Sequence, residues 1–151
     1  FRGQELRGYV HDQGAALLGG VGGHAGLFGT ADDVAKMMQM YLQKGYYGGT
    51  WYLQPQAIQL FNTCNYCTEG NRRGLGFDKP QLGKAGPTCG CVPMESFGHT
   101  GFTGTFAWAD PINEIVVVFL SNRTYPSAEN KLLINKLIRQ RVQEVVYKAG
   151  L

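Results

Sequence analysis

The strongest constraint in this chain is the run Ser96-Phe-Gly-His-Thr-Gly-Phe-Thr-Gly-Thr-Phe-Ala-Trp-Ala-Asp110, together with the apolar segment that follows it. Phe106 and Trp108 alternate with Thr105, Ala107 and Ala109, the period of two that a strand imposes. Asp110-Pro111-Ile112-Asn113 reads as a tight turn, because proline presets φ and aspartate favours turn starts. Ile115-Val-Val-Val-Phe-Leu120 is apolar on both faces, rich in β-branched residues and too short for a typical helix. The pattern predicts an antiparallel hairpin over about 104–121, in a sheet covered on both sides. Gly98, Gly101 and Gly104 let other groups approach the backbone closely. Set beside His99 and two threonines, they predict a polar site at a strand edge.

Helices are expected on either side of this hairpin. Thr30-Ala-Asp-Asp33 reads as a capping box, with acidic residues at the positive end of the helix dipole. Val34, Met37, Met38, Tyr41 and Leu42 recur at helical spacing as a stripe to be buried, and Gly45 stops the helix. Thr50 to Leu53 reads as a short strand, Pro55 opens a second helix to about Phe61, and Leu75–Asp78 reads as another short strand. A last helix is predicted over 128–148. Its apolar face would be Ile134, Leu137, Ile138, Val142, Val145 and Val146. Lys136, Arg139, Gln140, Gln143 and Glu144 would form its solvated face. The fold class is therefore α+β, an antiparallel sheet flanked by helices, in one domain over 1–151.

The first 29 residues are glycine-rich and read as loop, since each glycine costs a helix about 1 kcal/mol. No Lys-Ser or Lys-Thr follows, which argues against a phosphate-binding loop. His11 and His24 read as histidines that bond backbone groups in tight loops, with metal ligation as the alternative. The formal charge is +3 and its basic residues are scattered, which argues against nucleic-acid binding. No apolar run approaches the ~20 residues that span a bilayer.

Four cysteines occur as two close pairs, Cys64-Asn-Tyr-Cys67 and Cys89-Gly-Cys91. Two readings stay open. A four-thiolate structural zinc site fits the pairwise spacing. Disulfides fit an extracytoplasmic protein, and crosswise pairing is expected because a bridge inside Cys-Gly-Cys would be strained. Either way the four cysteines are expected to meet in space and clip a loop that has little core of its own.

His99-Thr100-Gly101 at the head of such a hairpin resembles the third motif of the serine β-lactamase and penicillin-binding-protein superfamily. That motif is usually Lys-Thr-Gly, and the class-C-like esterase and peptidase branch often has His in the first place. The likeness extends through Phe97-Gly-His-Thr-Gly-Phe-Thr-Gly-Thr105, Asp110-Pro111 and Leu120-Ser-Asn-Arg123. It also includes Gly26-Leu-Phe-Gly-Thr-Ala-Asp-Asp-Val-Ala35 and Arg72-Arg-Gly-Leu-Gly-Phe77, in the same order.

The resemblance implies the C-terminal portion of a β-lactamase/transpeptidase-like fold, acting with the upstream part of the same domain. It implies acyl transfer through a serine ester, with no catalytic cofactor, on a small ester, an amide or a peptidoglycan-type substrate. In that scheme His99 positions substrate or protons and Thr100 bonds a substrate carboxylate or carbonyl. The backbone N–H of Phe102, after Gly101, is one of two oxyanion donors. This chain has no Ser-x-x-Lys and no Tyr-x-Asn, so both motifs are expected upstream of Phe1. The rival readings are an inactive module that binds cell wall or a partner chain, and a small zinc protein.

Overall fold

The computed structural model describes residues 3–81 and 86–150. They divide into two compact units between Thr30 and Ala31. The first unit is mostly loop, as its glycines require, around one short helix, α1 (Gln13–Leu17). Asp12 caps α1 by accepting the Ala15 N–H at 2.8 Å. The same carboxylate oxygen lies 2.8 Å from Nε2 of His24, so His24 meets a carboxylate, where a backbone group was expected. The capping bond, and after it His24, hold the Asp12 carboxyl below its ordinary range.

The second unit carries the sheet. Helix α2 (Ala31–Leu42) starts with Asp32 and Asp33 in its first turn. It stops where Gly45 turns to φ +101° and its N–H reaches back to the Met40 carbonyl at 2.8 Å. Strands β1 (Tyr46–Tyr47) and β2 (Thr50–Trp51) then close a hairpin over Gly48-Gly49, shorter than the strand expected to reach Leu53. Pro55 opens helix α3 (Pro55–Asn62) at its first turn, as predicted.

The main sheet has three antiparallel strands in the order β3 (Phe97–Thr100), β4 (Phe106–Asp110), β5 (Ile115–Phe119). The register places His99 opposite Ala107 and Trp108 opposite Val117. The predicted hairpin is thus β4–β5. Its turn is closed by Asp110, which accepts the backbone N–H groups of Ile112 and Asn113 at 2.8 and 3.1 Å. Alternation sorts the side chains onto two faces, as expected. One face joins Phe97 and Ala109 to Met38, with Val34, Tyr41 and Leu42 of α2 packed alongside. The other holds Phe106, Trp108 and Val117. Met37 leaves the predicted stripe and is 48% exposed.

The predicted C-terminal helix is broken in two: α4 (Leu132–Asn135) and α5 (Ile138–Gly150). Leu137 takes a positive φ of +52° between them, which ends the first helix and rotates the second. The faces therefore differ from those read off the periodicity. Gln143 and Tyr147 are the buried residues of α5, while Val145 and Val146 are exposed. Tyr147 donates to Asp110, and Gln143 accepts the Cys89 N–H at 3.0 Å. Burial raises the Asp110 pKa, but the bonds from Tyr147, Asn113 and Ile112 outweigh it and leave that carboxyl lowered.

The four cysteines form two disulfides, each inside its own pair. Cys64–Cys67 and Cys89–Cys91 have Cα separations of 5.6 and 5.2 Å. Both lie in the range a disulfide spans. The crosswise pairing expected from sequence is therefore wrong. The backbone bends enough at each pair for neighbouring sulfurs to meet; Gly90, at φ +72°, makes the second bend. The zinc reading falls with it. Bonded sulfurs carry no thiolate, and among the described residues no group of three His, Cys, Asp or Glu side chains converges on a metal-sized space.

Between these clips, the expected strand at 75–78 reduces to two isolated bridges, Arg73 with Asp78 and Asp78 with Gly98. Asp78 is 1% exposed and sits between Arg72 Nη1 at 2.7 Å and Arg73 Nε at 3.2 Å. These are ion pairs and not aligned hydrogen bonds, so charge compensation is what makes the burial tolerable. Asp78→Ala would leave the half-buried Arg72 without its counter-charge, and should cost about 3 kcal/mol. Urea unfolding of the variant checks this; a loss below about 1 kcal/mol would mean the pair contributes nothing net.

The next residue, Lys79, is also buried and donates to the Glu95 carbonyl at 2.7 Å and to Asn62 at 3.3 Å. Burial lowers its pKa to about 8, against 10.5 for a free lysine, with Glu95 opposing. Between those values the unfolded chain binds the proton that the folded chain has released. Stability should therefore rise as pH increases from about 8 toward 10. Tyr147, kept protonated by burial and by Asp110, works in the opposite sense above about pH 10. Thermal melts between pH 7 and 9.5 should show the rise, and Lys79→Met should flatten it. A slope that survives the substitution would assign the effect to another group.

Candidate active site

His99 and Thr100 close strand β3, and Gly101 and Phe102 open the turn into β4, so the four predicted site residues stand together at one end of one strand. On the outer side of β3, Asp78 pairs with Gly98 through two backbone bonds of 2.8 and 3.1 Å. Beyond Gly98, no strand among the described residues covers His99 and Thr100. Their edge of the sheet is open, as the sequence predicted.

The turn is built from tight contacts. The Gly101 N–H donates to the Thr105 carbonyl at 2.8 Å, and the Gly104 N–H to the Gly101 carbonyl at 3.0 Å. A Cβ on Gly101 would lie 2.0 Å from the Thr105 hydroxyl oxygen, so any other residue here would force the Thr105 side chain to turn away. Gly104 adopts φ +97° and lies against Ser121 and Leu133. The Ser121 hydroxyl donates to the Thr103 carbonyl at 3.1 Å, and the Arg123 N–H donates to the same carbonyl at 2.8 Å. The segment after β5 thereby anchors the turn.

His99 is exposed, and its Nδ1 lies 2.9 Å from the Thr100 carbonyl. Thr100 is half-buried and Phe102 is 65% exposed. The Arg123 guanidinium lies over the Phe102 ring, 4.8 Å from its centre. Thr100, Gly101 and Phe102 form one wall of a cavity of about 270 Å³, whose other walls are Arg123, Ile134 and Arg139. The sequence reading placed Arg139 on the solvated face of the last helix. The break at Leu137 instead brings it, half-buried, to the cavity, with Nη1 3.5 Å from the Thr105 carbonyl. Nothing in the helical periodicity signals that turn.

A family model described as Beta-lactamase matches residues 2–140. The chain belongs to the β-lactamase family. Among its relatives are candidate D-alanyl-D-alanine carboxypeptidases. That of Escherichia coli K12 is 37% identical over 126 residues, covering 82% of this chain and 29% of the relative. That of Salmonella enteritidis is 36% identical over 131 residues, 85% of this chain and 30% of the relative. This β-lactamase-family chain thus spans about three-tenths of the length of these relatives. A crystal structure of a candidate β-lactamase from Bacteroides dorei aligns with a TM-score of 0.44 at 17% identity, over 85% of this chain and 49% of that one. None of the helices among the described residues is long and apolar enough to cross a membrane.

Proposed function

We propose that this chain is the C-terminal part of a serine hydrolase of the β-lactamase type, supplying the wall of the active site that faces the nucleophile. The observation that carries this reading is the open end of β3: His99, Thr100, Gly101 and Phe102 in sequence, beside a cavity, on a rigid turn. Thr100 offers a hydroxyl to a substrate carbonyl or carboxylate. The Phe102 N–H is one donor to the oxyanion, the type of contact worth about 3 kcal/mol in the transition state. His99 orients substrate or passes a proton, where a lysine would hold a fixed charge. The attacking serine and its lysine come from residues outside these 151, because no Ser-x-x-Lys occurs among them.

The substrate class is a small acyl compound, an ester or amide, with peptidoglycan peptides favoured by the names of the relatives. No cofactor takes part in the chemistry. The two disulfides fit an extracytoplasmic location. A fluorescent penicillin or fluorophosphonate should label the complete hydrolase at a serine outside this chain, and should leave the 151-residue chain unlabelled. Time-dependent covalent labelling of the isolated chain would place the nucleophile inside it and overturn this assignment.

A further inference from the structure

We propose that the β1–β2 hairpin, with the start of helix α3, is a binding platform for a neutral saccharide, built from none of the residues that line the cavity beside β3. Residues 45–68 contain no Asp, Glu, Lys, Arg or His, although 17% of the chain is charged. In place of charge, the stretch opens with the rings of Tyr46, Trp51 and Tyr52 and continues with the amides of Gln54, Gln56 and Gln59. Such a surface has no cation to draw an anion, a nucleic acid or an acidic membrane. It also lacks the arginine that commonly joins aromatic rings in gripping a protein partner. Its charge complement is a ligand without charge.

The hairpin holds its rings in place and leaves them open. Gly48 and Gly49 take φ of +57° and +88°, the positive values a two-residue hairpin turn requires. At the base, the Tyr52 N–H donates to the Gly45 carbonyl at 2.8 Å and ties the end of β2 to the end of α2. Tyr46 stands opposite Trp51 on the ladder, with ring centroids 5.2 Å apart and planes at 58°. Trp51 still has 58% of its surface exposed and Tyr52 has 62%, although rings of this size are highly buried on average.

A pyranose ring meets both halves of this chemistry. One of its faces presents polarised C–H bonds, which suit the negative face of an aromatic ring. Its rim of hydroxyls donates and accepts hydrogen bonds, as a carboxamide does, and a neutral amide costs less to desolvate than an ion. Gln54 stands two residues after Tyr52, directly before α3, and its side chain makes no capping bond to that helix. Gln56 and Gln59 are exposed on α3 itself. Rings and amides therefore follow one another along a short, anchored segment.

The test is a titration of the ¹⁵N-labelled chain, whose two tryptophans are exposed Trp51 and buried Trp108. The probes are chitotetraose and maltotetraose, both neutral, and vesicles of phosphatidylcholine with and without phosphatidylglycerol. At least one saccharide should move the Trp51 indole N–H with a Kd of about 1 mM or tighter, while the Trp108 signal stays in place. The tighter of the two sugars tells an acetamido pyranose from a plain one. Followed at the Gly49 N–H, Trp51→Ala should weaken that binding about tenfold or more. Tyr52→Ala should weaken it about threefold or more, and serves if the first variant fails to fold. A Trp51 signal unmoved by either sugar at about 10 mM would overturn the proposal, as would unchanged affinity in both variants. A stronger response to vesicles would assign the hairpin to a membrane surface, and a signal that moves with protein concentration alone would assign it to a second copy; either result overturns the saccharide reading. No residue of the cavity beside β3 takes part. A complete hydrolase that labels normally while Trp51 ignores both sugars would refute only the platform.

Discussion

Trp108→Ala is expected to destabilise the second unit by about 3–5 kcal/mol, a large share of the 5–15 kcal/mol that holds a typical domain folded. Trp108 is 1% exposed, on the central strand of the main sheet. Its ring stacks on Phe106 with centroids 5.7 Å apart and planes 7° from parallel, and Val117 faces it across the β4–β5 ladder. The indole N–H donates to the Ser96 hydroxyl at 2.9 Å, and Ser96 is itself fully buried. The substitution therefore opens a cavity between β4 and its neighbours and also strands a buried hydroxyl. Trp108→Phe separates the two effects: it keeps most of the ring volume and should cost about 1–3 kcal/mol, chiefly through Ser96. Urea unfolding followed by far-UV circular dichroism measures both. A Trp108→Ala midpoint close to the parent's would show that this face is not the core.

The residues that announce this core also announce themselves in the sequence, because strand alternation and turn chemistry are local. Phe106, Trp108 and the Asp110 turn needed only their neighbours to be read, and so did Pro55 and Gly45 as helix punctuation. What covers a face is not local. The helical spacing of Val145 and Val146 predicted burial, yet both are exposed while Gln143 and Tyr147 of the same helix are buried. The cause is Leu137, whose positive φ breaks the helix, and an apolar residue gives no warning of that conformation.

The cysteines failed for a related reason. Their two-by-two spacing left four thiolates and crosswise bonds open and spoke against a bond inside Cys-Gly-Cys, and the local backbone bends decided for the bonds within each pair. The placing of His99 to Phe102 together at a strand end could be read in advance because motif, strand end and glycine turn coincide in one stretch. Arg139 could not, since its place at the cavity depends on the break that precedes it by two residues.

The central claim is that the open end of β3 is a substrate wall, and kcat/KM of His99→Ala and Thr100→Ala in the complete hydrolase tests it most directly. Both side chains stand at the edge of the sheet, His99 exposed and Thr100 half-buried, so their truncation should leave the fold intact. Circular dichroism and melting temperature verify that separately. Thr100 lines the cavity, so removing its hydroxyl should remove a substrate contact that the neighbouring backbone cannot replace. An oriented contact of this kind should lower kcat/KM at least about tenfold in each variant, equivalent to ~1.4 kcal/mol of transition-state stabilisation. Two variants that fold normally and turn over substrate at the parent rate would contradict the assignment, and would leave the β3 edge as structure without a catalytic part.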